Sequence, residues 1–386
     1  MSDTRVVSDL DVATRVPSPL MRRHGAVAAE GLDAGVAWHY GDPTREQRLL
    51  AEGLAVVDQS HRGVVTVTGP DRLSWLHSIT TQQLTGLPPR TSTEALVLSP
   101  KGHVEHALHL VDDGETTWIT CEPGTNAALT AWLRSMQFML RVEVTDRTPD
   151  LAVIGEPTDR EGAQGEPPTW RDPWPVVAEG SASYAAVDET LRTPVRRPGA
   201  RLPAGGGEAA EAPGALADVR TAEPHPGLDW SWREVIVPRE ELEQHVGDRP
   251  LAGTWALEAL RVAAWRPRLG HETDYRTIPH EVDWLRTAVH LHKGCYRGQE
   301  TVARVHNLGR PPRRLVMLHI DGSAHLLPAA GTDVMAGDKR VGQITTSARH
   351  HELGPIALAL VKRSLPVETQ LTADGVDAAQ EAIVAG

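Results

Sequence analysis

One eight-residue stretch, Lys293-Gly-Cys-Tyr-Arg-Gly-Gln-Glu300, gathers a thiol, two cations and two glycines, with His290 and His292 just upstream. Cations beside a cysteine favour thiolate over thiol, so Cys295, flanked by Lys293 and Arg297, is expected to be the reactive one of the two cysteines. Cys121 lies in an apolar strand pattern instead. Gly294 and Gly298 would let the backbone turn sharply and bring its N–H groups close to a ligand. The same residues also suit a tight turn with solvated charges and an inert small thiol, and local chemistry leaves both readings open.

A second cluster runs from Arg261 to Pro279 and carries Arg266, Arg268, His271, Glu272, Asp274 and Arg276. Residues 251–314 hold 11 Lys or Arg against 6 Asp or Glu, in a chain whose net charge is -12. An anionic ligand with a planar head would suit this patch. Arg261 and Arg268 would meet its carboxylates, Glu272 its ring N–H groups, and Trp265, Trp284 and Tyr296 its flat faces. An ordinary salt-linked surface would have the same composition.

Several chemistries are excluded. The histidines form no HExxH and no CxxC accompanies them, so no metal site is expected. No GxGxxG opens a helix, no Walker A sequence occurs and no GxSxG elbow is present. Two cysteines supply neither a disulfide framework nor the four thiolates of an iron–sulfur cluster. The acidic balance opposes direct nucleic-acid binding. No apolar run is long enough to cross a membrane, and the N-terminus has acids where a secretory signal has bases, so a cytoplasmic location is expected.

The elements that must position these residues can be read from periodicity. Residues 1–35 read as a flexible tail. Val64–Thr68 reads as a strand, followed by a helix with Leu73, Leu76 and Ile79 on one face and Asp71 as its cap. Ala95–Ser99, Val104–Val111 and Thr116–Cys121 read as neighbouring strands, with Asp113-Gly114 turning the last pair. Thr125–Leu140 reads as a helix and Arg141–Thr145 as a strand. From 155 to 217 there are 9 Gly and 9 Pro in 63 residues, a loop-rich insertion in which Trp174–Ala178 and Ser183–Val187 read as short strands. Ordered chain is expected again near Asp218. Val235–Val237 reads as a strand and Trp255–Trp265 as a helix stopped before Arg266-Pro267. Short strands after Pro311-Pro312 read as a C-terminal β-barrel over 311–386.

Lys293–Glu300 resembles the KGCYxGQE signature of the YgfZ-type folate-binding proteins, relatives of the glycine-cleavage T-protein. The similarity extends to Arg266–Glu281, Val65–Leu76, Ser99-Pro-Lys-Gly102 and Val341–Thr346, and so spans about residues 36–365 apart from the insertion. The resemblance implies an α+β fold: a clover of mixed subdomains, 36–154 and 218–310, around a central folate pocket and closed by the barrel. It implies tetrahydrofolate or a one-carbon derivative as cofactor, Cys295 as signature thiol, and Gln299 and Glu300 beside it at the ligand. The implied role is accessory, without turnover of its own. It supports iron–sulfur cluster assembly or repair in client enzymes, tRNA-modifying ones included, with those clients and assembly proteins as partners. The alternative is a folate-dependent aminomethyl or methyl transferase of the T-protein type. Where T-proteins carry an Asp pair after a glycine turn, Gly102-His-Val-Glu-His106 places Glu105 and His106, which weighs against that alternative.

Overall fold

The computed structural model describes residues 17–157, 167–186 and 225–385. Two five-stranded sheets and a closed barrel surround one buried centre. The first sheet orders its strands Ser92–Leu98, Val104–Asp112, Thr116–Cys121, Gly63–Thr68 and Glu143–Asp146, each antiparallel to its neighbour. Alternation along them sends Val65, Val67, Leu108 and Leu110 into a core shared with Leu76 and Leu129 of helices Arg72–Ile79 and Asn126–Ser135. Ala107 and His109 fall on the opposite face, toward the centre.

The second of these helices stops five residues short of the expected Leu140. Asp71 does not cap the helix it precedes; it accepts the backbone N–H of Arg141 at 2.9 Å and pairs with the Arg141 guanidinium. Trp75 Nε1 donates to the carbonyl of Met136 at 3.2 Å, and Met139 takes a φ of 51°. Those tethers pull the chain out of helical geometry and leave Phe138 and Met139 79% and 89% exposed.

The second sheet orders Thr169–Arg171, Arg233–Pro238, Leu151–Glu156, Val56–Asp58 and Leu251–Ala252, parallel only in the last pair. Residues 17–35, read as tail, are ordered here. Leu20 packs under this sheet, Val27–Ala28 pairs with Ala37–His39, and Asp33 is buried. The Gly/Pro-rich stretch is likewise structural over its described part. Trp170 and Trp174 are fully buried, and the Arg266 and Arg286 guanidinium groups each lie 5.0 Å from the Trp174 ring centroid. Residues 174–178 turn rather than extend, and the Ser183–Val187 reading reduces to one bridge, Ala185 to Val384. Residues 1–16, Val187, the triple glycine at 205–207 and the expected resumption near Asp218 lie outside the described residues.

Helix Thr254–Ala263 is buried on nearly every face, because Ala256 and Ala259 let its neighbours approach closely. The six barrel strands close in the order Arg313–Ile320, Gly354–Lys362, Lys339–His350, Asp333–Ala336, Leu371–Ala373 and Val376–Ala382. Along the first of them Val316, Leu318 and Ile320 fill the barrel, while Leu315 and Met317 join the main core outside it. The barrel is thus welded to the rest through its own strand alternation.

Two turns quoted for the resemblance meet directly. Gly298 has a φ of 83°, and a Cβ there would lie 2.6 Å from the Ser99 carbonyl oxygen and 3.0 Å from Gly102 Cα. Both obstacles are backbone and cannot swing aside. Gly294, four residues away, has open space around it. Gly298→Ala should therefore destabilise the fold by about 1–3 kcal/mol, whereas Gly294→Ala stays within about 0.5 kcal/mol of wild type. Urea unfolding of the two variants checks this; equal effects would show that the turns do not press on each other.

Candidate functional site

Where the two sheets, the Thr254–Ala263 helix and the loop after it converge, a small cavity of about 60 Å³ remains. Four indoles, Trp170, Trp230, Trp232 and Trp284, stand in its wall together with Arg62, Arg261, Arg266 and Arg268. Trp230 and Trp232 stack 5.5 Å apart and also line an outer groove of about 1000 Å³. The left-handed backbone of Trp265, φ 59°, ends the helix and folds the chain back so that Arg261 Nη1 donates to the Arg266 carbonyl at 3.1 Å. This return brings three arginines of one sequence cluster to one place.

None of the wall arginines is left uncompensated. Arg268 donates to Asp33 at 2.6 Å, Glu122 at 3.0 Å and Glu258 at 3.0 Å. Arg261 holds Glu258 at 2.5 Å and Glu272 at 2.9 Å, and Glu272 also accepts from Thr346 at 2.6 Å. Arg266 pairs with Glu94 at 2.8 Å and Asp172 at 2.9 Å, and Arg62 with Glu122 at 3.1 Å and Glu234 at 3.4 Å. These four arginines meet seven carboxylates, so the positive patch of the sequence carries no net positive charge in the fold. Its counter-charges come from as far as 235 residues away, the separation of Arg268 and Asp33.

Burial pushes these carboxyls up, and the guanidinium groups more than reverse it. Glu234, with Arg62 and His109 beside it, is held at about 2, and Glu258, with Arg261, His271 and Arg268 around it, at about 2.

Of the residues named from sequence, Arg261, Arg268 and Trp284 stand in the cavity wall, and Glu272 braces both arginines from behind through Arg261 and the Arg268 backbone N–H. The Lys293–Glu300 residues are placed elsewhere. Cys295 is exposed. Lys293 turns inward: burial presses its ammonium down to about 7, and it donates to the carbonyls of His77, Thr80 and Gln82, closing the end of the Arg72–Ile79 helix. Tyr296 is buried with the Lys293 ammonium 5.1 Å from its ring centroid, and Gln299 Nε2 reaches the Lys293 carbonyl at 3.5 Å. Arg297 pairs with Glu105 at 3.2 Å, and Glu300 is exposed in the first turn of helix Gln299–Leu308. Both cations that flank Cys295 in sequence are thus engaged by other groups.

The sequence reading missed Arg62, Glu94, His109, Glu122, Trp170 and the wall position of Glu234. No sequence signal marked them: Glu94 directly precedes the apolar run Ala95–Leu98, and only the fold shows that it has no exposure and so requires a partner. Trp284 Nε1 and Gln59 Oε1, both in wall residues, are buried and have no hydrogen-bond partner among the described residues. The described carboxylate and histidine group Asp33, Glu258 and His271 lies close enough to surround an ion, but Arg268 and Arg261 already occupy its charges.

A cavity where two sheets meet the Thr254–Ala263 helix, walled by indoles and paired charges, sits in a mixed α/β scaffold that also carries a closed six-stranded barrel, and known proteins share this architecture. Residues 19–155 match the GCVT N-terminal domain and residues 313–384 the glycine cleavage T-protein C-terminal barrel domain. The chain belongs to the GCVT-like family. It is similar to the aminomethyltransferase of Herpetosiphon aurantiacus, 27% identical over 358 residues, covering 89% of this chain and 90% of that one. The aminomethyltransferase of Thermotoga maritima is 24% identical over 364 residues, covering 92% of each. The crystal structure of glycine cleavage system aminomethyltransferase T from Bartonella henselae superposes with a TM-score of 0.68 at 16% identity over 95% of each chain.

The depressed carboxyls set an acid limit. Their unfolded value is about 4.3, so their contribution to stability is complete above that pH and is lost as the pH falls toward about 2. Circular dichroism followed from neutral pH downward should show cooperative unfolding inside that interval. A chain still native below it would mean the ion pairs contribute nothing to the fold.

Proposed function

We propose that the central cavity binds tetrahydrofolate or a one-carbon derivative and that the chain works in folate-dependent transfer of an aminomethyl or methyl group. The observation that carries this is the wall itself. Indoles offer flat faces, the guanidinium groups are already neutralised, and an indole N–H and an amide oxygen stand without partners. Such a wall suits a neutral heterocycle bearing both donors and acceptors rather than a bare anion. Membership of the GCVT-like family and relatives named aminomethyltransferase support the same reading.

When bound, a reduced folate supplies ring amines able to carry a one-carbon unit. The chain's residues do the rest. Trp170, Trp230, Trp232 and Trp284 would hold the ring system and exclude water, and Gln59 and Trp284 would meet its polar edge. A ring as large as a pteridine enters by widening the small cavity at the Trp230–Trp232 face, on which the outer groove opens. Arg261 and Arg268 act by holding Glu258 and Glu272 in place rather than by meeting the ligand's carboxylates. Glu105, where the T-protein pattern has an aspartate, is committed to Arg297.

A second reading has its own observation. Cys295 is exposed on the Lys293–Glu300 loop and is not among the residues that line the cavity, as suits a thiol offered to another protein. In that reading the folate-bound chain is an accessory to iron–sulfur enzymes or their assembly proteins.

Calorimetric titration of the full chain with tetrahydrofolate and 5-formyltetrahydrofolate is expected to give micromolar binding, and no heat with either would remove both readings. Methylenetetrahydrofolate formed from a lipoyl-carried aminomethyl, sarcosine or dimethylglycine donor establishes transfer. Binding without turnover, together with lost cluster-enzyme activity in a Cys295→Ser strain, establishes the accessory role instead.

A further inference from the structure

Every carboxylate and guanidinium of the cavity wall is ion-paired, and beside them one imidazole keeps an unpartnered ring nitrogen among the described residues. The His109 ring lies flat on Trp170, centroids 3.7 Å apart and planes 7° from parallel. Its Nδ1 sits 3.1 Å from Glu234 Oε1, and the other Glu234 oxygen accepts from Thr120. Arg62 Nη2 also lies 3.4 Å from Nδ1, but a guanidinium N–H only donates. The shorter contact to a carboxylate decides the tautomer: Nδ1 carries the proton and gives it to Glu234. Nε2 then holds a lone pair. It has no hydrogen-bond partner among the described residues, since the Glu94 carboxylate at 3.9 Å is out of hydrogen-bonding reach.

We propose that His109 is the ligand's proton-accepting contact: its Nε2 receives a ring N–H of the bound reduced heterocycle, while Glu234 and Trp170 fix the imidazole. This rests on the reading that the cavity takes a reduced folate. The groups facing His109 are Glu94 on the Ser92–Leu98 strand, Glu234 on Arg233–Pro238, Arg62 after Val56–Asp58, and Glu122 beyond Thr116–Cys121, with Arg266 and Arg268 behind them. Arg62, Arg266 and Arg268 counter the burial of the three carboxyls and hold each below its ordinary value, so all three stay ionised and Glu234 keeps its hold on Nδ1.

The test measures tetrahydrofolate affinity by calorimetry, under reducing anaerobic conditions, for wild type, His109→Gln and His109→Leu. His109→Gln keeps an acceptor near the Nε2 position and should bind within about fivefold of wild type, whereas His109→Leu, which has no acceptor, should bind about tenfold or more weakly. A His109→Leu that binds as wild type does, or a His109→Gln as weak as His109→Leu, overturns the proposal and leaves folate binding intact. Failure of wild type to bind overturns the folate reading itself. An independent readout needs no substitution. In histidine-labelled protein the acceptor-type 15N signal of His109 should shift when tetrahydrofolate is added, and an unmoved signal with folate bound counts against the contact.

Discussion

The fold is organised by one alternating chain of buried charge. From Glu234 through Arg62, Glu122, Arg268, Glu258, Arg261 and Glu272 to Thr346, the contacts run from 2.5 to 3.4 Å and join residues of several parts of the molecule. The N-terminal segment contributes Asp33, the two sheets Glu94 and Glu234, the central helix Glu258 and Arg261, and the barrel Thr346. Burying so many ions is costly unless all are paired, so a misplaced subdomain would strand a charge in a low-dielectric interior. Correct docking of the parts and satisfaction of the network are the same event. The arrangement resembles a keystone in that no single pair is informative about the whole.

The network also explains why a cavity persists where the chain could have packed solid. Arginine and glutamate side chains reach one another across the junction at fixed lengths, and their rigid, planar pairing leaves the indoles of Trp170, Trp230, Trp232 and Trp284 as the remaining surface. The cavity is thus lined by long, paired side chains and by flat indoles.

Much of this was legible in the sequence, and the rest was hidden for definite reasons. Period-2 strands, the Asp113-Gly114 turn, the Trp255–Trp265 helix and the barrel all follow from local patterning, which depends on near neighbours. The helix read through Leu140 failed because its end is set by Asp71 and Trp75, more than 60 residues away. Similarly, Arg261 and Arg268 were visible as a positive cluster, but composition along the chain cannot show that Asp33, Glu122 and Glu94 return to neutralise that cluster. His109 escaped because a histidine in a strand looks like any other half-buried residue until Glu234, 125 residues on, arrives at its Nδ1. Lys293 misled in the opposite sense. Its neighbour in sequence is Cys295, and its neighbours in space are three carbonyls of another segment.

The charge balance of the cavity wall bears on how a ligand finds it. A site lined by uncompensated arginines would project a field several ångströms into solvent and draw anions in from a distance, at rates that collapse as salt is added. Here each guanidinium's field is closed by a carboxylate, and the carboxylates outnumber the arginines, so no positive field reaches out from the wall. A ligand of the proposed kind would gain nothing from attraction at a distance, and its capture would be governed by collision and fit. Selectivity would then reside in how long a heterocycle stays between the indoles, in departure rather than in arrival.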